Sequence, residues 1–233
     1  MDTQPAPPAE NHTVPWSLRE TWFGVFFLFL FIGLAVVALA VIGQLGIALD
    51  IGLVLNLGEL LFLLPIFWLI IKYNIGLDVF GLRRFNLRVL NLGFGLMVLV
   101  YLVTVAYGLI LDFFGISTGV DLAPVLEEIG SPLPLIIAAV IAAPLVEELF
   151  FRGFLFYGLR QHFGWRWAAL ISTAFFALLH LQPANLLPIA LLGFLFAYLS
   201  HISNSIWPAI ILHAVFNGFN VLLVYIVIQN GLV

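Results

Sequence analysis

The sequence contains no cysteine, and only nine per cent of its 233 residues are charged. The first absence excludes disulfides, thiolate catalysis, cysteine metal sites and palmitoylation. The second sits far below the roughly 25% typical of a soluble globular chain. Eight Lys and Arg against twelve Asp and Glu give a net charge of -4, which leaves no basic surplus for nucleic acid. A cleavable signal peptide is also missing. The opening "MDTQPAPPAENHTVP" is polar and proline-rich, without a basic start or a small-residue cleavage site. It is expected to belong to a disordered cytoplasmic tail over residues 1–20.

What is abundant is apolar: 64% of the residues are hydrophobic, and the mean hydropathy is +1.18. A water-soluble fold of this size could not bury so much. The expected architecture is all-α, a polytopic transmembrane helical bundle forming a single domain over 21–233. Seven apolar stretches stand out: Trp22–Ile42, Leu53–Ile71, Leu90–Phe113, Pro132–Leu159, Trp165–His180, Leu186–Leu199 and Ile206–Ile228. A spanning helix needs roughly 20 such residues, with a range of about 17–25, and the fifth and sixth fall short. About seven spans are expected, with eight as the alternative.

Basic residues orient the bundle. Arg19, Lys72, Arg83, Arg84, Arg88, Arg160 and Arg166 all fall on one side of this layout, which the positive-inside rule makes cytoplasmic. Trp16, Trp22, Trp68, Trp165, Trp167 and Trp207 fall near the same ends, where interfacial rings are favoured. The N-terminus is expected inside and the C-terminus outside, in the cytoplasmic membrane. The outer loop "GISTGVDLAPVLEEIGSPLP" is expected to hold a short interfacial helix.

Inside the apolar stretches lie groups that are costly there. "AAPLVEELFFRGFLFYGLR" places Glu147, Glu148 and Arg152 on the fourth stretch. At 1.5 Å per residue, Glu147 lies roughly 20 Å from the cytoplasmic end, His180 roughly 21 Å, His213 roughly 10 Å and Asn217 roughly 16 Å. Three helices therefore bring polar side chains to similar depth. Glu148 and Arg152 are four apart and can pair on one face, which leaves Glu147 pointing elsewhere. His213 and Asn217 share a face, as do Phe176 and His180. Pro144, one turn before Glu147, removes a backbone donor and should bend the helix. Hydrogen-bonding glue between helices accounts for single buried polar residues. An ionisable residue in a span costs about 2.5–3.5 kcal/mol, which makes so many of them on three helices expensive for glue alone.

Such a set suits water activation: a carboxylate as general base, a histidine beside it, and Asn and His N–H groups for an oxyanion. The same side chains could instead hold a zinc ion through Glu147, His180 and His213 with water in the open position. The residues do not choose between no cofactor and one divalent metal. Glu127 and Glu128, followed by no arginine, read as solvated surface; His12, His162 and His201 read as ordinary tail or loop residues. Glu59 is favoured as a helix–helix hydrogen bond over a second functional group, Asn56 is left open, and Ser172 reads as packing. No HExxH or GxGD motif is present, and no GxSx-type serine precedes a helix with a partner histidine.

"EELFFR", "FALLH" and "HAVFN" together resemble the EExxxR, FxxxH and HxxxN motifs of the CAAX protease and bacteriocin-processing (CPBP, or Abi) family, related to type II CAAX prenyl endopeptidases. The resemblance covers a catalytic core of about 130–229. It implies an intramembrane endopeptidase in which Glu147 and His180 activate water, His213 and Asn217 form the oxyanion site, and Glu148 and Arg152 hold the helix. Its substrate would be a membrane protein or peptide, prenylated or not, reached through the lipid bilayer. A non-proteolytic membrane scaffold or immunity protein is the alternative, and a small proton-coupled transporter a more distant one.

Overall fold

The first long helix starts where the sequence S-L-R-E supplies its own cap. The Ser17 hydroxyl accepts from the backbone N–H of Glu20, and the Glu20 carboxylate accepts from that of Ser17 at 2.7 Å. The computed structural model describes residues 12–46, 51–116 and 136–229, and among these no strand occurs. Helix α1 is Leu18–Gln44, followed by α2 (Ile51–Leu60), α3 (Leu64–Tyr73) and α4 (Leu87–Phe113). The C-terminal part holds α5 (Ala143–Glu148), α6 (Tyr157–Leu179), α7 (Leu186–Ser203) and α8 (Trp207–Gln229). Residues 117–135, which hold most of the expected outer loop and its helix, lie outside the described residues.

Among the described residues, four segments are long and apolar enough to cross a membrane: Leu18–Gln44, Leu87–Phe113, Pro183–Ser203 and Trp207–Val227. The side chains of Phe26, Val37, Leu102 and Leu109 are more than half exposed, a surface made for lipid. The protein is an integral membrane protein. The other expected spans are helical but interrupted. The second is broken by a 3-10 turn at Leu61–Leu63, just ahead of Pro65, which has no N–H to continue the ladder. The fourth changes its hydrogen-bond register twice, through π-helical segments at Ala138–Ala142 and Leu149–Phe156. Between the fourth and fifth, Gly164 at φ 74° and ψ 165° turns the chain out of helical geometry within α6.

The core gathers around the second π segment: Phe150, Phe151, Phe154, Leu155 and Phe156 are at most 1% exposed, together with Trp16, Leu69, Phe80 and Tyr157. Trp16 and its neighbours correct the expectation of a disordered tail for residues 12–20; residues 1–11 lie outside the described residues. Residues 12–20 form a strap packed onto the helices. The fully buried indole of Trp16 stacks on Phe80 at 5.0 Å and on Phe154 at 6.1 Å, and its carbonyl accepts from Gln161 at 2.8 Å. Glu20 holds Lys72 at 2.5 Å and Tyr73 at 2.7 Å. Burying one large ring releases enough apolar surface to offset the ordering of a short segment. Trp16 is therefore part of the core rather than an interfacial anchor.

His12, expected to be an ordinary tail residue, is buried too. Its Nε2–H donates to the Val79 carbonyl at 2.8 Å, and its own carbonyl accepts from Arg160 at 2.7 Å. Burial, with Arg83 and Arg160 adding to it, pushes the imidazole down from 6.5 to about 4. The folded strap keeps the ring neutral, whereas a released strap takes up a proton below 6.5. The stability His12 contributes is therefore full above pH 6.5 and is lost as pH falls through about 4. Acidification from pH 7 to 4 should release the strap, read as increased proteolysis ahead of α1 and a red shift of Trp16 emission. His12→Asn should flatten that pH dependence.

Candidate active site

Pro144 sets the local geometry from which the rest follows. Ahead of it the ladder widens, so that the N–H of Ala143 bonds the carbonyl of Ala138. In that register the next carbonyl, Ala139, would need the N–H that Pro144 lacks. Asn217 of α8 supplies the missing donor: its Nδ2 donates to the Ala139 carbonyl at 2.8 Å. The expected bend at Pro144 is thus a π segment closed by a side chain from another helix. One N–H of the Asn217 amide is spent in this way and the other remains.

The second π segment carries Arg152, and Glu148 stands immediately before it. Both are fully buried. Arg152 donates through Nη1 to Glu148 Oε1 at 2.8 Å and through Nη2 to the Gly193 carbonyl at 2.9 Å. Glycine at 193 gives the guanidinium room, since a Cβ there would stand 3.3 Å from Nη2 and 3.0 Å from the Phe176 ring, tight contacts that would push on both side chains. The guanidinium lies over Phe176 at 4.4 Å and Phe196 at 5.5 Å, rings that stabilise a cation removed from water. Ser172 donates to the Phe151 carbonyl at 2.8 Å, tying α6 to the same segment.

His213 of α8 completes the group. It is 5% exposed; its Nδ1 is 3.0 Å from Glu148 Oε1 and its Nε2 is 3.9 Å from Glu147 Oε2. Glu148 is thus shared between Arg152 and His213, a role beyond the pairing expected of it. With Nδ1–H donated to Glu148, the other ring nitrogen faces Glu147. Phe176 meets both histidine rings, at 4.7 Å from His180 and 5.8 Å from His213.

His180 lies at the end of α6, where its Nδ1 donates to the Phe176 carbonyl at 2.7 Å and leaves Nε2 as an acceptor. The histidine against Glu147 is His213. Among the described residues no hydrogen bond or ion pair joins His180 to Glu147. The reason lies in the packing: α8 rests on α5 and the first π segment, whereas α6 rests mainly on α7 and the second. Glu147 Oε2 is buried without a hydrogen-bond partner among the described residues.

A divalent metal needs several ligands converging on one point. Among the described residues no three His, Cys, Asp or Glu side chains are so placed. The set Glu147, His180 and His213 does not fit such an ion in this arrangement.

Gly193, Phe196 and Ala139 also build the site, and spacing within one helix does not reveal them. The Asn217 bond makes a direct prediction. Asn217→Leu leaves the half-buried Ala139 carbonyl without this donor and should cost about 1 kcal/mol, measured by thermal unfolding in detergent.

Residues 128–219, which contain all six of these polar side chains, match the family profile described as type II CAAX prenyl endopeptidase Rce1-like. A relative from Bacillus subtilis (strain 168), YdiL, named as a candidate membrane peptidase, is 31% identical over 120 residues. That alignment covers 51% of this chain and 49% of the relative, so the chain spans about half the length of the curated relative it matches. No solved structure matches the chain. Residues 128–219 are thus similar to type II CAAX prenyl endopeptidases of the Rce1-like kind.

Proposed function

We propose that this protein is an intramembrane endopeptidase of the CAAX-processing type, hydrolysing a peptide bond of a membrane-associated protein or peptide. The observation that carries the reading is the Glu147 carboxylate. It is buried, has an oxygen without a hydrogen-bond partner, and lies 3.9 Å from His213 Nε2. A separation of that size is long for a direct bond and suits a shared water. Glu147 takes a proton from this water as it attacks the carbonyl carbon, and later gives it to the leaving nitrogen. His180, its ring oriented by the Phe176 carbonyl, assists through Nε2. The developing oxyanion receives the second N–H of Asn217, with His213, one turn earlier on α8, completing the oxyanion site. Glu148 and Arg152 hold the frame.

The orientation rule supports placing the N-terminus and basic residues in the cytoplasm, with about seven spans in the cytoplasmic membrane. A substrate anchored in lipid would enter sideways between helices, and a prenylated C-terminus is the favoured class. The test is cleavage of a library of prenylated and unprenylated membrane peptides by purified protein, beside Glu147→Gln, with and without a chelator. Cleavage by wild type alone is expected, unaffected by the chelator. No cleavage by folded wild type across the library would transfer the reading to a membrane scaffold.

A further inference from the structure

Glu59 is a second carboxylate at the site, contributed by the last turn of α2. Helix α2 and the 3-10 turn after it both pack against α5, which carries Glu147. A helix–helix hydrogen bond, the role favoured from sequence, requires a partner. Glu59 Oε2 is buried and has none among the described residues.

Two buried carboxylate oxygens without donors, on elements packed together, raise the question of what satisfies them. Buried acceptors in native proteins are met by protein donors or by ordered water. A water needs two to four polar partners. Glu147 Oε2 and Glu59 Oε2 supply two, both acceptors, which matches the two hydrogens of one water. A water donating one hydrogen to each carboxylate has both hydrogens fixed, and its free lone pair is directed away from the two acids, towards an incoming carbonyl carbon.

We infer that Glu59 is a positioning residue, accepting the second hydrogen of the water whose first hydrogen is taken by Glu147. The inference rests on the proposed protease reading and deepens it. In the chemical step one proton passes to Glu147 and the hydroxide oxygen bonds the carbonyl carbon; Glu59 takes up no proton and forms no bond. Its part is to hold the attacking oxygen in line. Side-chain acceptance, rather than negative charge, is what the position requires.

The experiment uses the full chain in lipid nanodiscs, with a farnesylated peptide ending in C-a-a-X and its unprenylated counterpart as probes. Glu59→Gln keeps an acceptor oxygen and should retain at least a third of kcat. Glu59→Leu should lose tenfold or more in kcat with KM within twofold, because substrate binding does not use the water's second hydrogen. A Glu59→Leu enzyme with unchanged kcat would overturn the assignment, as would a Glu59→Gln enzyme as inactive as Glu147→Gln. If wild type cleaves neither probe, the prenyl-processing reading fails by itself. The thermal-unfolding cycle of Glu59→Gln, Glu147→Gln and the double variant then decides whether the two share a water. Shared hydration makes the shifts non-additive, and additive shifts would sink the inference. Should Glu59→Leu fail to fold, Glu59→Met gives the same readout.

Discussion

Arg152→Ala should cost about 3–5 kcal/mol, the amount typical of breaking a buried ion pair from one side. Against a total of about 5–15 kcal/mol for a folded domain, that is a large fraction of the stability. The Arg152 guanidinium is fully buried, holds Glu148 and the Gly193 carbonyl, and is roofed by Phe176. Its removal strands Glu148 in an apolar core with only His213 beside it, and leaves a carbonyl of α7 without its donor. Lysine should rescue poorly, because a single ammonium cannot reach both acceptors in the geometry of a planar fork. Removing both charges, as in Glu148→Leu with Arg152→Met, should be far milder than removing one. The measurement is thermal unfolding and the monodisperse fraction after detergent extraction. A midpoint for Arg152→Ala within about two degrees of wild type would show that the pair does not hold the helix.

Glu147→Gln should produce the opposite signature. General-base catalysis contributes about 10²–10⁴ in rate, so hydrolysis should fall by at least a hundredfold. Stability should be kept or should rise, because Glu147 makes no hydrogen bond that the amide would break, and the substitution removes a charge from buried surroundings facing Glu59 and Glu148. Residues kept for function commonly cost stability, and this is the position where that trade is expected. The two substitutions, five residues apart on one helical segment, therefore separate cleanly. One weakens folding, and the other abolishes turnover in a well-folded protein. Equal loss of both properties in Glu147→Gln would return Glu147 to a structural role.

These two side chains are also where the sequence is easiest to read. Glu147, Glu148 and Arg152 stand out because almost every neighbour is apolar, and the spacing of four alone pairs Glu148 with Arg152. Other features depend on information that linear spacing does not carry. The π segments have the same residue types as an ordinary helix, so only the position of Pro144 hints at them. The bond from Asn217 to the Ala139 carbonyl needs the relative rotation of two helices, which no periodicity encodes. Depth along the helices matches His180 to Glu147 better than it does His213, yet the packing of α8 rather than α6 on α5 brings His213 there. Trp16 was misread because tryptophan near a span end usually marks the interface, and its burial depends on partners at Phe80 and Phe154. The broken second span escaped notice because an apolar run conceals a change in hydrogen bonding at Leu61–Leu63.

The strap also bears on how the chain assembles. The contact from Arg160 to the His12 carbonyl joins residues 148 positions apart, and Trp16 closes onto Phe154 over a similar distance. During synthesis the first segment emerges long before its docking surface exists. The entropy of closing so large a loop grows only with the logarithm of its length, but it must be met before the contact can form. The aromatic cluster around the second π segment is therefore completed late, after α6 has been made. A fusion partner placed directly before residue 12 would hinder the last closing step, and its effect would appear as a slower yield of folded protein more than as a lower melting temperature.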